Sequence, residues 1–192
     1  MTAPVLIPRA IIAVMAAIVV AFAATSRADA EAPAAGVLVV GDSLSAAYGL
    51  EAVESGWVAL LEERLSAKGQ PMRVTNASIS GDTTAGGRAR LPAALARHAP
   101  AVVIIELGGN DGLRGIDLAS TRANLSAMLS ATRAADAEPV LLGMMIPPNY
   151  GQRYTDAFIA LFAELAEEYD AAFEPFFLAD VALDANFMQS DG

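Results

Sequence analysis

Short apolar segments alternate with longer amphipathic stretches through most of the sequence, and this alternation limits the possible folds more than any other feature. Val102-Val103-Ile104-Ile105 is a continuous apolar run, typical of a parallel strand that is covered on both faces. The predicted strands are 37–41, 72–77, 101–107, 139–145 and, as the weakest pattern, 171–174. Strands and helices that alternate with short connections predict an α/β protein: a three-layer α/β/α sandwich around a mainly parallel five-stranded sheet.

The stretches between these segments carry apolar residues at helical spacing. In 56–68, the residues Trp57, Leu61 and Leu65 recur on one face of a helix. The stretches 118–134 and 154–169 have similar apolar stripes. These helices are expected to cover the two faces of the sheet.

The first thirty residues are typical of a secretory signal peptide. Arg9 precedes an uncharged apolar run from 10 to 24, and Ala28-Asp29-Ala30 offers an Ala-x-Ala cleavage site. A transmembrane anchor is the alternative, but a span needs about 20 apolar residues and this run is shorter. We therefore predict a signal peptide at 1–30, one domain at 31–192, and a periplasmic or secreted location.

Composition excludes several classes of function. The 192 residues include 12 basic and 22 acidic side chains, for a formal net charge of −10, whereas nucleic-acid binding requires a basic surface. With no cysteine and one histidine, the chain has no cluster of zinc ligands. We expect no cofactor and no metal, a small-molecule substrate, no membrane span after signal cleavage, and a monomer.

Three polar blocks that contain glycine follow the first three predicted strands. Ser43 lies in Gly41-Asp42-Ser43-Leu44-Ser45, Gly81 closes a block that starts at Asn76, and Asn110 follows two glycines. The carboxyl ends of parallel strands form the ligand crevice of an open sheet, so these residues should meet at one edge. Together they indicate a nucleophilic serine with donors for a developing oxyanion.

Each of these residues also has an ordinary structural interpretation. Asp42 and Ser43 can cap a helix, Gly81 can be a loop glycine, and Asn110 can be a turn asparagine. The functional interpretation is favoured because it accounts for all three residues at adjacent strand ends at once.

The same blocks resemble blocks I, II and III of the SGNH (GDSL) hydrolase superfamily, and in particular its bacterial periplasmic branch of thioesterases, lysophospholipases and arylesterases. The resemblance covers residues 36–192 and differs from the Gly-x-Ser-x-Gly elbow of α/β-hydrolases. It is carried by the segments Gly41 to Tyr48, Asn76 to Thr83, Glu106 to Gly115, Pro147 to Gly151 and Phe187 to Gly192. It implies the flavodoxin-like SGNH version of the predicted sandwich.

By this resemblance Ser43 is the nucleophile, and its own N–H, the N–H of Gly81 and the side chain of Asn110 form the oxyanion hole. The final block of the family, Asp-x-x-His, supplies the orienting acid and the general base. Asp191 matches the aspartate, so the histidine is expected two positions beyond Gly192. We accordingly expect the domain at 31–192 to lack the base and the last helix, and the 192-residue chain alone to be almost inactive.

The histidine within the chain, His98, is a poor substitute for that base. It precedes the predicted strand 101–107, whereas Asn110 follows this strand. Seven strand residues at about 3.3 Å each place His98 roughly 20 Å from the site. We expect a helix-end residue that interacts favourably with the helix dipole.

The predicted function is therefore that of a secreted serine esterase that hydrolyses acyl esters or thioesters, as an arylesterase, acyl-CoA thioesterase or lysophospholipase. A groove is expected between the loop after Asn110 and the loop at 147–153. Its apolar residues, Leu113, Ile116, Ile146 and Tyr150, favour an acyl or aryl substrate. The alternatives are a carbohydrate O-deacetylase on the same fold and, if the chain ends at Gly192, a non-catalytic acyl- or lipid-binding protein.

Overall fold

Five parallel strands form one sheet in the computed structural model, which describes residues 36–179, 181, 182 and 186. The strands are β1 (Val37–Gly41), β2 (Val74–Asn76), β3 (Val102–Glu106), β4 (Glu138–Leu142) and β5 (Ala172–Glu174). Their order is β2-β1-β3-β4-β5, so β3 is the central strand. β3 and its neighbour β1 are buried along their whole length. The predicted α/β fold with a parallel five-stranded sheet is confirmed.

Five α-helices connect the strands within the described residues. They are α1 (Trp57–Ala67), α2 (Thr84–His98), α3 (Gly109–Leu113), α4 (Leu118–Ala134) and α5 (Gln152–Glu168). Helix α4 packs between α2 and α5. Since β2 lies on the other side of β1 from β3, right-handed crossovers place α1 on the face opposite these three helices.

Aromatic pairs fill the core on both sides of the sheet. Phe158 and Phe162 of α5 meet edge to face at 5.2 Å and are buried. Trp57 of α1 meets Phe177, which follows β5, at 5.1 Å. These contacts hold the helices against apolar strands and fix the sheet edge from which the polar loops emerge.

The predicted strand bounds are close to those observed. β4 begins at Glu138 and ends at Leu142, short of the predicted end at 145. A Cβ on Gly143 would lie 2.3 Å from the Pro175 carbonyl oxygen, so the chain after β4 runs directly against the chain after β5. The predicted signal peptide at 1–30 and the predicted site residue Asp191 lie outside the described residues.

Candidate active site

β1 leads directly into a tight turn that carries Ser43 at the carboxyl edge of the sheet. A Cβ on Gly41 would lie 2.5 Å from Ser45 Oγ and 2.6 Å from Glu106 Oε2. Only glycine therefore allows the turn to pack this closely on the end of β3. The turn, residues 42–45, is called the nucleophile turn below.

Asp42 anchors this turn from inside. Its Oδ1 accepts a hydrogen bond from the Leu44 N–H at 3.1 Å, and the residue is buried. Ser43 is half-buried and is followed by turn residues, and the next α-helix begins only at Trp57. Ser43 therefore does not cap an α-helix.

Asn110 lies in the first turn of α3, next to the same aspartate. Gly108 precedes this helix with φ +117°, and a Cβ there would lie 2.8 Å from the Phe162 ring. The Asn110 Nδ2 donates a hydrogen bond to Asp42 Oδ2 at 2.9 Å. The ends of β1 and β3 are thereby joined, and the structure brings Asn110 to the residue beside Ser43.

The electrostatics of Asp42 reflect this position. Burial raises the pKa of its carboxyl group, while hydrogen bonds from Leu44, Asn110 and Ser43 lower it less strongly. An amide nitrogen has two hydrogens, so the bond to Asp42 leaves one Asn110 N–H for another acceptor. Asp42 thus orients a donor group beside the serine.

Gly81 lies in the loop that continues β2 along β1. The N–H of Ala77 donates to the Val39 oxygen at 2.9 Å, and the N–H of Ile79 donates to the Gly41 oxygen at 3.0 Å. Gly81 then has φ +77°, a left-handed conformation that favours glycine. Its carbonyl oxygen accepts a hydrogen bond at 2.9 Å from Arg114 Nη2, one residue beyond α3. The three predicted loops are therefore interconnected.

Arg90 of α2 fixes this arrangement, and sequence reasoning did not identify it. Its Nε forms an ion pair with Asp82 at 2.7 Å, its Nη1 donates to the Ala77 oxygen, and its Nη2 donates to the Gly41 oxygen at 3.2 Å. One guanidinium group thus holds the end of β1 and both sides of the loop that contains Gly81. The nearby glycine pair at 86 and 87 lets α2 pack closely enough for these contacts.

Asp111, the neighbour of Asn110, has structural partners. Its carboxylate accepts hydrogen bonds from the Thr84 N–H at 2.9 Å, from the Thr84 hydroxyl, and from the Thr121 hydroxyl at 3.4 Å. These contacts join α3 to the start of α2 and to α4. They keep the Asn110 segment in place.

Glu106 is a second residue that sequence reasoning missed. It ends β3, is completely buried, and accepts hydrogen bonds from the Ser45 hydroxyl at 2.6 Å and the Asp42 N–H at 3.2 Å. Burial, and to a smaller extent the nearby Asp42, raise its pKa to about 8. A lone glutamate after Val102-Val103-Ile104-Ile105 is the signal that could have revealed it.

Two tyrosines connect the loops on either side of the predicted groove. The Tyr150 hydroxyl donates to the Leu113 oxygen at 2.8 Å, and the Tyr154 hydroxyl donates to the Ile116 oxygen at 3.1 Å. Leu113 is 50% exposed, but Ile146 is buried, so the expectation that Ile146 lines the groove is corrected: it packs in the core. A cavity of about 500 Å³ opens beyond Tyr150 and is not lined by Ser43 or Asn110.

His98 lies far from these residues in the fold, as predicted. It is the last residue of α2 and lines a cavity of about 430 Å³ with Gly36, Arg73 and Pro100, at the amino edge of the sheet. Because Ser43 is at the carboxyl edge, His98 is not placed to accept its proton. Asp191 lies outside the described residues, and within those residues no group of His, Cys, Asp or Glu side chains is arranged to hold a metal ion.

A serine beside a buried aspartate, with a glycine and an asparagine on the two neighbouring strand ends, defines a site for acyl transfer on a parallel α/β sheet. Similarity to known protein families agrees with this class. The model of the GDSL-like lipase/acylhydrolase family matches residues 39–192. The chain belongs to this family and is a serine ester hydrolase.

Similar proteins of known activity have the same character. The chain is 53% identical to Esterase TesA of Pseudomonas aeruginosa over 84% of its length and 80% of that protein. It is 47% identical to the Thioesterase 1/protease 1/lysophospholipase L1 of Escherichia coli, over 81% of this chain and 73% of that one. The crystal structure of AlinE4, an SGNH-hydrolase family esterase, superposes with a TM-score of 0.77 at 40% identity, covering 87% of both chains.

Proposed function

We propose that Ser43 is the nucleophile of this esterase and that catalysis proceeds through an acyl-enzyme. The Ser43 Oγ attacks the acyl carbon as its proton passes to a histidine base, and the alcohol or thiol departs with that proton. Water, deprotonated by the same base, then attacks the acyl-enzyme and releases the acid. The position of Ser43 beside the Asp42–Asn110 hydrogen bond is the observation that carries this proposal.

The oxyanion hole is proposed to consist of the Ser43 N–H, the Gly81 N–H and the free N–H of the Asn110 amide. The Asp42 bond fixes the amide before substrate arrives, and Arg90 and Arg114 fix the loop of Gly81. Donors that are already in place stabilise the developing charge without reorganisation. Asp191 is proposed to orient the histidine of the family's final block.

The surface around the site favours acyl and aryl substrates. The exposed large apolar side chains of the described residues all lie on segments that follow strands at the carboxyl edge of the sheet. They are Leu44, Tyr48, Leu50, Val53, Ile79, Leu113, Met145 and Tyr150. We refer to these eight residues as the apolar rim. Exposed apolar side chains on the segments around a site favour the binding of apolar groups, so the proposed substrates are acyl esters, aryl esters and acyl thioesters.

The test is hydrolysis of p-nitrophenyl esters of increasing chain length and of acyl-CoA by the full-length gene product. Ser43→Ala should lower kcat by several orders of magnitude, because the covalent route is lost. Ser66→Ala, at an exposed position on α1, is the matched control and should keep wild-type activity. Activity of Ser43→Ala above a tenth of wild type would exclude Ser43 as nucleophile. Preference for acetylated sugars over all these esters would instead identify a deacetylase.

We also propose that the enzyme is exported to the periplasm or outside the cell, on the basis of the signal-like residues 1–30. We propose separately that it acts as a monomer. Among the described helices, none has the length and apolar character to cross a membrane. The N-terminal sequence of the protein recovered from its host should begin at Glu31. A cytoplasmic protein that retains residues 1–30 would contradict export, and light scattering that gives a dimer mass would contradict the monomer.

A further inference from the structure

Glu106 is an acidic residue at the centre of an apolar sheet. It stands beside Gly41 in the register of β1 and β3, and its side chain has no solvent exposure. The other four residues of β3 are apolar and equally buried. Burying a carboxyl group in such surroundings costs free energy, and hydrogen bonds made by that group must offset the cost.

Those contacts converge on the nucleophile turn. Glu106 Oε2 accepts hydrogen bonds from the Asp42 N–H, one residue before Ser43, and from the Ser45 hydroxyl, two residues after it. The same oxygen occupies the space that a side chain on Gly41 would need. One oxygen atom therefore touches the turn on both sides of Ser43.

The turn is also held from the opposite side. The Asn76 Nδ2 donates to the Ser45 carbonyl oxygen at 2.7 Å, and Asn76 Oδ1 accepts from the Ser78 N–H. Ser45 is thus fixed by its backbone to the end of β2 and by its hydroxyl to β3. Of these two contacts, the one with Glu106 is completely buried and shielded from water.

The charge state of Glu106 matters for this role. Its Oε1 is buried and has no partner among the described residues. Burial, and then the nearby Asp42, raise the pKa of this carboxyl group to about 8. Arg90 of α2 reaches the same strand end at the Gly41 oxygen, whereas β4 presents the apolar residues Leu141 and Leu142. Ionisation would place a second negative charge beside Asp42.

We propose that Glu106 is the positioning residue of the nucleophile turn: it fixes the Asp42 backbone and the Ser45 hydroxyl, and so holds Ser43 in register with Asn110. This inference rests on the proposed role of Ser43. It assigns Glu106 no contact with substrate, and its effect is transmitted through the turn.

The test compares Glu106→Ala, Glu106→Gln and Ser45→Ala in the full-length protein, with Glu138→Gln as the control. Glu138 is also a strand glutamate, but it is exposed at the amino edge and paired with Arg133. The measurements are kcat and KM on p-nitrophenyl butyrate from pH 6 to 10, together with thermal unfolding. Glu106→Ala should lower kcat about 10²-fold with little change in KM, the effect of displacing a reacting group by about 1 Å.

Glu106→Gln keeps an oxygen for both hydrogen bonds and places its amide where Oε1 already lacks a partner, so it should restore most of kcat. Wild-type kcat is expected to decline above pH 8, where Glu106 ionises, and Glu106→Gln should remove that decline. Ser45→Ala should lower kcat, and Glu138→Gln should change nothing.

The proposal is overturned if folded Glu106→Ala stays within threefold of wild type, or if Ser45→Ala is fully active. A wild-type pH decline that Glu106→Gln retains would also overturn it. Ser43→Ala that stays active would refute the proposed function itself.

Discussion

The two amide hydrogens of Asn110 have different roles: one holds the side chain in place, and the other is the proposed oxyanion donor. One is bound to Asp42, whose own carboxylate is held by the Leu44 N–H. The other is directed by that bond, because the planar amide cannot turn one hydrogen without the other. The residue can therefore serve as a rigid donor although it lies at the start of a helix of only five residues.

Replacing Asn110 by alanine should accordingly reduce kcat by about 10²–10³-fold, the usual effect of losing one oxyanion donor. KM should change little, because the donor acts mainly in the transition state. Gln70→Ala, in the segment between α1 and β2, is the matched control, since it removes an amide at the amino edge of the sheet, away from Ser43. Steady-state kinetics of the full-length protein decide the matter: a rise in KM alone would make Asn110 a substrate-binding residue.

Glu106 also predicts how stability depends on pH. Its pKa is raised from 4.5 to about 8 in the folded protein, so the folded state holds a proton that the unfolded state loses. The stabilisation that the raised pKa of Glu106 contributes to the folded state is complete below about pH 4.5 and is lost as the pH rises to about 8. Denaturant unfolding of Glu106→Gln and wild type should therefore show the variant gaining relative stability across this window. A constant difference between pH 5 and pH 8 would contradict a neutral, buried Glu106.

Among the elements, the two loops on either side of β2 offer a matched pair of glycines. Gly81 and Gly69 have φ angles of +77° and +76°, and neither would place a Cβ within 3.4 Å of another atom. Alanine at either position should cost about 1–2 kcal/mol of stability from backbone strain alone. Only Gly81→Ala should also lower kcat, because relief of that strain moves the proposed oxyanion donor. Equal kcat values for the two variants would remove Gly81 from the oxyanion hole.

The sequence predicted the elements whose pattern is continuous. β1 is found at the predicted bounds because its four apolar residues are buried on both faces, and α4 at 118–134 because its apolar stripe spans the whole helix. The short helix α3 was not predicted, since Gly109, Asn110 and Gly112 are residues typical of turns. It forms because tertiary contacts override propensity: Gly112 packs against Ile146 and Phe158 without room for a side chain.

For the site, motif and strand position together predicted Ser43, Gly81 and Asn110, and the structure places these residues after three adjacent strands. The residues that hold them were not predictable. Glu106 reaches Ser45 across 61 positions of sequence, and Arg90 reaches Gly41 across 49. Such contacts depend on the register of the strands and the angle at which α2 packs, which no local pattern encodes.

On the scale of the whole molecule, the proposed catalytic residues lie at the carboxyl edge of the sheet. A substitution of His98, at the amino edge, tests whether that edge takes no part in catalysis. His98 lies at the amino edge with Arg73 and Pro100, separated from Ser43 by the length of the strands. His98→Ala should therefore leave kcat and KM of the full-length protein unchanged and affect only the end of α2. Loss of activity in a folded His98→Ala variant would place the base within the described chain.

The apolar rim also makes the two edges of the sheet differ in the polarity of their surfaces. The exposed large apolar side chains of the described residues lie at the carboxyl edge of the sheet, while Arg73 and Arg97 lie at the opposite edge. On a hydrophobic support the protein would adsorb through the rim and bury its own catalytic entrance. Tethered by the opposite edge to an anionic support, it would present that entrance to the solution, so the method of immobilisation alone would decide whether the adsorbed enzyme works.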